Sequence, residues 1–379
     1  MSYAIQREDG FDFLSEEYAD LHAAAGGAAF QHGRWLHRLY ATLAPARGAR
    51  PVVVTVRASA DGELLLVLPL VSVGRVVRVL TFADLGVADY NAAVTRPAVL
   101  DDIGRDQEAV GRIRRALGRF DLLVVDRVAG SADPVAALLA GSRVRQHHYD
   151  THVVTLPAAP ELWREALDPK FVRHLDRKYK RLRPKGERTL RLVTDVAEVE
   201  PMMRTMQSFR AARFAERGGI DLVQDEATYA FYRSVAEDSI RDGGPVRLVA
   251  LELAGEPVAV ALDLVEPDRE LFLLVGYDVE RLRNYSLGLL IVDGLAQDAI
   301  GRGMRELDLT VGDESYKADF GARAVPLFQV RVPRTVRGGA AMVAKDVTLS
   351  ARQLAKRRLE AWNRYRATAR EAAAEPAQG

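Results

Sequence analysis

The stretch from Tyr277 to Gly321, YDVERLRNYSLGLLIVDGLAQDAIGRGMRELDLTVGDESYKADFG, decides the fold predicted for this chain. It reads as the end of a strand, a turn, a helix, a second strand and a polar loop. Apolar residues recur at helical spacing over residues 287–300, and Glu306–Val311 has the pattern of a half-buried strand. This order predicts an α/β unit that binds ligands beyond the carboxyl ends of its strands.

The turn at Arg283–Gly288 opens directly into the predicted helix, as an Arg-x-x-Ser-x-Gly arrangement. Anions are attracted to a helix N-terminus by its unsatisfied N–H groups and by the helix dipole, and small residues permit close approach. We therefore predict that this turn holds phosphates. The polar loop Gly312–Lys317 follows the next strand and is predicted to face the acceptor substrate.

Composition limits the classes of protein that this chain can represent. Its 379 residues exceed one ordinary core, so two domains are expected, and a net charge of +1 gives no overall field for nucleic acid. The absence of cysteine excludes disulfides, thiolate zinc sites and a cysteine nucleophile. The first residues lack a signal-peptide pattern, and the longest apolar run, 64–73, is too short to span a bilayer. We expect a cytoplasmic protein, with peripheral contact to the inner face of the membrane left open.

The second half of the chain repeats the order of elements of the first half. Strands are predicted at 51–57, 64–71, 75–82 and 121–126, and again at 246–253, 257–265, 270–277 and 306–311, with a helix before the last strand of each set. This pattern predicts an internal duplication of one α/β unit. The expected domains are residues 1–150 and 151–335, followed by a basic helical tail at 336–379. The first copy lacks the phosphate-binding turn.

Three other segments are predicted to be helical. Residues 170–182 form an amphipathic helix with a basic face, which is either a solvated linker or a positive wall for phosphates of a cofactor or lipid headgroup. Residues 197–217 carry three methionines, which suit either a core or a flexible apolar ligand. The tail from Leu349 to Ala374 is basic and either docks on the protein or lies on a membrane surface.

Several chemistries are excluded because their motifs are missing. The sequence contains no P-loop, no Gly-x-Gly-x-x-Gly and no Gly-x-Ser-x-Gly elbow. No histidine follows His174, so a Ser-His-Asp site within residues 277–321 would need help from the other half, and no metal site is predicted. Proton transfer near the polar loop would use carboxylates, Tyr316, Lys317 or water.

Residues 150–322 resemble the GNAT acyltransferase superfamily, in the subgroup of cellulose-biosynthesis-type acetyltransferases. The resemblance is carried by Arg283–Gly288, by Leu307-Asp-Leu, and by Gly312-Asp-Glu-Ser-Tyr-Lys317 with Phe320-Gly321. The basic stretch at 170–183 and Ala88-Asp-Tyr-Asn91 also look like that subgroup. The superfamily turn has glycine where this chain has Ser286. The resemblance implies two tandem GNAT-like domains of α/β class with mixed sheets, and acyl-CoA as a co-substrate that is not permanently bound.

The resemblance and the residue pattern together predict the site. The pyrophosphate of acyl-CoA is expected on Arg283, Asn284, Tyr285, Ser286, Leu287 and Gly288. The candidate catalytic residues are Asp308, Asp313, Tyr316 and Lys317, with Asp308 a buried structural carboxylate in the alternative interpretation. The candidate substrate-binding residues are Asp84, Asp89, Tyr90, Arg173 and Arg213.

The acceptor is expected to be an amine or a hydroxyl, and the function is left open among three alternatives. Proteins similar to this subgroup N-acylate sphingoid long-chain amines to form ceramides, and the methionines and basic helices favour such a lipid-like amine. The second alternative is acylation of a sugar or exopolysaccharide precursor. The third is a non-catalytic scaffold of an envelope-synthesis complex. Transfer from aminoacyl-tRNA is disfavoured, because relatives of that kind usually carry a coiled-coil arm that this chain lacks.

Overall fold

A computed structural model describes residues 2–130, 133–139 and 144–344. The described residues form a mixed sheet of 13 strands with helices packed against it. The α/β class with a mixed sheet, predicted from the sequence, is confirmed. The predicted tail helix from Leu349 to Ala374 lies outside the described residues.

The described residues of the first half form seven strands and six α-helices. In chain order these are β1 (Tyr3–Arg7), α1 (Glu16–Ala24), α2 (Gly33–Arg38), α3 (Ala44–Ala46), β2 (Arg50–Ala58), β3 (Leu64–Val73), β4 (Val79–Phe82), β5 (Val94–Thr95), α4 (Pro97–Arg105), α5 (Gln107–Ala116), β6 (Leu122–Ala129), α6 (Asp133–Leu139) and β7 (Arg145–Thr155). β4 begins later than predicted because Gly74, with φ +87°, starts a tight hairpin before it.

Up to residue 344, where the described part of the chain ends, the second half forms six strands and the seven α-helices α7 to α13. In chain order these are α7 (Trp163–Ala166), α8 (Pro169–Leu182), β8 (Arg188–Leu192), α9 (Val199–Arg217), α10 (Glu226–Asp242), β9 (Val246–Leu253), β10 (Glu256–Val265), β11 (Arg269–Tyr277), α11 (Val279–Leu282), α12 (Leu287–Gly301), β12 (Glu306–Val311), α13 (Tyr316–Asp319) and β13 (Arg323–Pro333). The predicted strands 246–253 and 306–311 agree in both bounds, whereas β1, β5, β7 and β8 were not predicted.

Short irregular helices connect these elements. Leu39–Leu43 is a π-helical turn, and 3-10 turns occupy Ala29–Gln31, Pro160–Leu162, Arg183–Lys185, Val196–Glu198, Leu222–Gln224 and Arg283–Tyr285.

The two halves are joined into one sheet by exchanging a strand. The strand order is β1-β2-β3-β4-β6-β13-β7-β12-β11-β10-β9-β8, with β5 paired to β3. β7 precedes the second copy yet pairs with β12, while β13 follows the second copy yet pairs with β6. Residue 150 therefore falls inside a central strand, and the domain boundaries at 150 and 335 stay predictions.

The register of the central strands brings the carboxyl ends of β6 and β12 together. Val311, at the end of β12, and Val325 of β13 both pair with Thr151 of β7. Leu327, two residues further along β13, pairs with Ala129 at the end of β6. Since a strand rises about 3.3 Å per residue, the two ends lie within a few residues of the same level. A ligand bound beyond the end of β6 and one bound beyond the end of β12 would both lie near the middle of the sheet.

Three apolar cores hold the layers together. One lies against the first half of the sheet and one against the second half. The third is shared, because Phe30 and Trp35 of the first half pack with Phe231 and Tyr232 of α10. The methionines of α9 belong to this shared core, with Met203 and Met206 fully buried. Burial of this apolar surface stabilises the two halves as a unit.

The described residues set two limits on other interpretations. None of their helices combines the length and apolar character needed to cross a membrane. Across the same residues, no cluster of three or more histidine, cysteine or acidic residues could hold a metal ion.

Candidate functional site

The candidate site is a slot where two parallel strands separate. β11 and β12 pair only through Arg269–Leu271 and Glu306–Asp308, and then diverge. Thr310 lies in a bulge of β12 and has a φ of +58°. The bulge bends β12 at the point where it separates from β11. The resulting cavity has a volume of about 480 Å³, and its walls come from β11, β12, α9 and the start of α12. This volume falls in the range typical of small-molecule sites.

One end of the cavity is the turn that the sequence predicted to hold phosphates. Arg283, Ser286, Leu287 and Gly288 line it, whereas Asn284 and Tyr285 lie outside the lining. Ser286 adopts a left-handed conformation, with φ +57° and ψ +45°, immediately before α12. Glycine is favoured in this region, so the glycine of the superfamily turn has a physical reason at this position. The first residues of α12, Leu287 and Gly288, line the cavity, and the first N–H groups of a helix have no partner within the helix.

The absence of a side chain at Gly288 lets the turn approach β11. A Cβ atom added there would lie 3.1 Å from Cε1 of Tyr277, which is closer than ordinary carbon contacts. The Tyr277 ring in turn stacks under the guanidinium of Arg213, 5.2 Å from the ring centroid. Arg213, predicted to bind substrate, thus lies in the cavity wall near the turn.

Helix α8 places positive charge beside the same turn. Lys178 Nζ donates to the Asn284 carbonyl at 3.3 Å, and the Arg181 guanidinium lies 5.5 Å from the Tyr285 ring centroid. Arg283 forms an ion pair with Glu216 of α9. The basic face predicted at 170–182 therefore borders the phosphate-binding turn, although Arg173 is exposed and outside the cavity lining.

A buried carboxylate fixes α8 in that position. Asp293 of α12 accepts hydrogen bonds from Tyr179 Oη at 2.5 Å and from Trp163 Nε1 at 2.9 Å, and it pairs with Arg164 at 3.0 Å. Burial, together with the charge of Asp293, raises the pKa of Tyr179, so this hydroxyl stays a donor. Sequence pattern gave no signal for this network, because an aspartate in a helix interior is usually exposed.

The other end of the cavity carries the predicted acceptor loop. Glu314, Tyr316 and Lys317 line the cavity, whereas Asp313 is exposed and outside the lining. Lys317 is buried, and its ammonium group donates to the carbonyls of Thr310 at 3.0 Å and Gly312 at 3.4 Å. It also lies 3.2 Å from Glu314 Oε2. Glu314, which sequence reasoning did not choose, is therefore held against the cavity by a fixed positive charge.

Gly312 makes this arrangement possible. Its φ is +142°, and an added Cβ would lie 2.3 Å from Glu314 Oε2. A side chain there would displace the carboxylate. Burial, followed by the nearby charge of Glu314, raises the pKa of the Tyr316 phenol, which therefore stays protonated at neutral pH.

Asp308 lies below the cavity and is fully enclosed. Its carboxylate accepts hydrogen bonds from Tyr90 Oη at 2.7 Å, Thr151 Oγ1 at 2.9 Å and Thr310 N at 2.8 Å. Arg269 Nη1 is 3.4 Å away. Asp308 is 0% exposed and does not line the cavity. These contacts join β12 to β7 and to the first half of the chain.

The loop of the first half that carries the candidate substrate-binding residues contacts β12, and its polar side chains have partners within the protein. Asp84 pairs with Arg127 at 2.8 Å and accepts from Asn91 Nδ2 at 2.9 Å. Burial raises the pKa of Asp89, although the charge of Arg127 and a hydrogen bond from the Val311 N–H both act to lower it. Tyr90 is buried on Asp308. Asp84, Asp89 and Tyr90 lie outside the cavity lining, and their role in substrate binding stays a prediction.

Comparison with known families agrees with this geometry. Residues 169–318 match the Acetyltransferase (GNAT) domain. The matched segment contains the turn at Arg283–Gly288, both strands of the slot and Glu314, Tyr316 and Lys317. A search of curated protein sequences finds no match.

Several solved structures share this fold over most of the chain. FemX superimposes with a TM-score of 0.60 at 10% identity, covering 86% of this chain and 97% of FemX. L-PGS from Bacillus licheniformis gives 0.53 at 12% identity, covering 91% of this chain and 99% of that one. The C-terminal domain of a putative lysylphosphatidylglycerol synthetase from Agrobacterium fabrum gives 0.52 at 14% identity, covering 87% and 96%. At such identities the likeness shows the fold.

Proposed function

We propose that this protein is an acyl-CoA-dependent acyltransferase that transfers the acyl group of a thioester to an amine. The observation that carries the proposal is the slot between β11 and β12. Its one end is an anion-binding turn, and its other end holds Glu314, Tyr316 and Lys317. A donor with a phosphate group at one end of a long arm and a reactive carbonyl at the other fits this arrangement.

The slot supports binding of the donor through backbone groups as well as charge. Beyond Leu271, the edge of β11 that faces β12 pairs with no strand among the described residues. The other edge of β11 stays paired to β10 as far as Tyr277. Two side chains reach its carbonyls, from Thr310 to Phe272 at 3.2 Å and from Arg210 to Val275 at 3.0 Å. The amide groups of a pantetheine arm can pair with the remaining edge as an added strand does. The phosphates then reach the α12 N-terminus, Arg283 and the α8 cations.

Glu314 is the proposed general base. The amine nitrogen attacks the thioester carbonyl carbon, a C–N bond forms, and Glu314 accepts the proton that the nitrogen gives up. The C–S bond then breaks, and the leaving thiolate takes the phenolic proton of Tyr316. Water returns the proton from Glu314 to Tyr316. Lys317 positions Glu314 through their 3.2 Å contact, and proximity of the two substrates supplies much of the rate enhancement.

A sphingoid long-chain amine is the specific acceptor that we propose, giving a ceramide-like amide. Phe214 lines the cavity. Ile220, in the loop after α9, is 87% exposed. This loop is held beside the cavity by an ion pair between Asp221 and Arg210 of the cavity wall, 2.7 Å apart. Such exposed apolar residues suit a lipid substrate. One protein of the same fold is named as a putative lysylphosphatidylglycerol synthetase, so the architecture is compatible with lipid acceptors.

Thiol release tests the donor and the acceptor together. Purified full-length protein is incubated with acetyl-CoA or palmitoyl-CoA and either sphinganine or glucosamine. We expect release of CoA with sphinganine and a new amide by mass spectrometry. Absence of binding to either acyl-CoA would refute the transferase proposal and favour a scaffold. Release with glucosamine but not with sphinganine would refute the lipid acceptor while retaining the transferase.

Two sets of variants separate the donor from the base. Arg283→Ala with Ser286→Asp removes a cation and adds an anion at the turn, and we expect weaker CoA binding with an unchanged fold. Glu314→Gln should lower kcat by about 10²–10⁴-fold and leave CoA affinity unchanged. Asp319→Asn is the matched control, because this exposed carboxylate is outside the cavity lining. Equal kcat values for Glu314→Gln and Asp319→Asn would exclude Glu314 as the base.

A further inference from the structure

A second concave site lies at the outer end of the first half, away from the slot. Its lining includes Arg7, Arg50, Arg78 and Arg119, and its volume is about 240 Å³. Arg7 ends β1 and Arg50 begins β2, whereas Arg78 precedes β4 and Arg119 follows α5. All four positions lie at the end of β6 opposite to Ala129, the end that approaches the slot. The second half of the chain does not contribute to the lining.

The four arginines are incompletely neutralised. Arg7 pairs with Asp9 at 2.7 Å, and Arg78 lies 3.6 Å from Asp121. Arg50 and Arg119 have no ion-pair partner within the described ranges 2–130, 133–139 and 144–344. Guanidinium groups bind phosphate oxygens in bidentate fashion, so converging arginines with unused donors favour a phosphate ligand.

The base of the site is partly apolar. Leu80 and Phe120 line the pocket floor and are buried. Arg334, after β13, lies outside this lining, with its guanidinium 4.8 Å from the Phe120 ring centroid. The pocket therefore combines an apolar base with a cationic rim.

Two exposed valines stand beside this pocket. Val76, at the tip of the β3–β4 hairpin, is 79% exposed, and Val336, after β13, is 91% exposed. One carboxylate ties the two segments together, because Asp121 accepts from Arg78 N at 2.8 Å and from Thr335 Oγ1 at 2.9 Å. The β3–β4 hairpin and the segment that follows β13 are thus held side by side. Apolar tips among cations are typical of surfaces that enter the headgroup layer of a membrane.

We propose that this pocket binds the phosphate of an anionic phospholipid and docks the outer end of the first half on a membrane. The headgroup phosphate occupies the arginine rim, with Arg50 and Arg119 as its main contacts. Val76 and Val336 enter the interface beside it. The proposal is independent of the acyl-transfer chemistry, because it uses no residue of the slot.

Vesicle flotation of the full-length protein tests the proposal. Vesicles of phosphatidylcholine alone are compared with an equimolar mixture of phosphatidylcholine and phosphatidylglycerol. We expect binding to the anionic vesicles only. Since each arginine near a charged membrane contributes about fivefold to partitioning, Arg50→Ser with Arg119→Ser should lower the partition coefficient about 10- to 30-fold.

The matched control is Arg177→Ser with Lys180→Ser, which removes the same charge from the exposed face of α8. An equal loss in this control would overturn the proposal, because binding would then follow net charge. Unchanged flotation of the Arg50/Arg119 variant would also overturn it, since residues elsewhere would hold the membrane. Binding of free glycerol phosphate that depends on Arg50 and Arg119, without vesicle binding, would replace the lipid with a soluble phosphate ester.

Discussion

Replacing Asp308 tests whether this carboxylate holds the two halves together or takes part in acyl transfer. The side chain accepts hydrogen bonds from Tyr90, Thr151 and the Thr310 N–H, at 2.7 to 2.9 Å. Tyr90 belongs to the first half and Thr151 to the exchanged strand β7. Asp308 is therefore a junction of three segments that are far apart in sequence.

The cost of Asp308→Ala can be estimated from these contacts. Each buried donor left without an acceptor costs about 1–3 kcal/mol. The hydroxyls of Tyr90 and Thr151 can partly satisfy each other, because they are already hydrogen bonded. The Arg269 side chain is 33% exposed and still has Glu306 as a partner in the variant. We therefore assign no free energy to the loss of its contact with Asp308. We expect a loss of about 3–5 kcal/mol in the free energy of unfolding, in line with broken buried charge pairs.

Asp308→Asn separates the structural role from a catalytic one. The amide oxygen can still accept from Thr310 and Thr151, so we expect a smaller loss of about 1–3 kcal/mol. Unfolding in urea, followed by circular dichroism, measures both variants against the wild type. The folded Asn variant should retain acyl transfer within about tenfold, whereas loss of a general base costs about 10²–10⁴-fold. An unfolding free energy for Asp308→Ala within about 1 kcal/mol of the wild type, or a catalytic-size loss in Asp308→Asn, would refute this reasoning.

Three further predictions follow from backbone strain and from shifted pKa values. Ser286→Gly should stabilise the protein by about 0.5–1 kcal/mol in urea unfolding, because φ is +57° there; a loss of stability would show that the serine side chain is needed. Tyr316→Phe should lower kcat. In the wild type, ionisation of the phenol should not lower the rate below pH 10, because burial raises the pKa of Tyr316. A rate that falls with rising pH below pH 10 in the wild type but not in the Phe variant would contradict this. Burial, followed by the charges of His22 and Arg34, lowers the pKa of His32 to about 4. The unfolded state then binds more protons between pH 6.5 and 4, so stability should fall as the pH drops through this window, by up to about 3 kcal/mol, and His32→Asn should flatten that part of the urea–pH profile.

Most elements of the second half could be predicted because local pattern determines them. β9 and β12 agree with prediction in both bounds, and α12 begins at Leu287 as predicted. Alternating apolar residues, turn glycines and helical spacing are properties of short segments and need no distant contact. The turn at Arg283–Gly288 was recognised for the same reason, since its residue types fit a helix N-terminus.

The missed strands have a common cause. β7 is rich in polar residues, with three histidines between Arg145 and Thr155, and β1 and β8 mix charged with apolar residues. Their strand conformation is stabilised by pairing with neighbours that are distant in sequence. A strand held mainly by its partners carries little signal of its own.

The sequence alone determined the α/β class and the strand–helix–strand unit that carries the turn and the acceptor loop. Only the tertiary structure decided which carboxylate reaches the cavity. Asp308, Asp313 and Glu314 are neighbours in sequence, yet the bulge at Thr310 and the left-handed backbone of Gly312 direct Glu314 to the cavity and leave Asp308 buried on Tyr90. The exchange of β7 and β13 could not be predicted from the sequence either, because these strands pair through residues more than 100 positions apart. Side-chain direction at the end of a strand depends on register and bulges, which the tertiary fold sets.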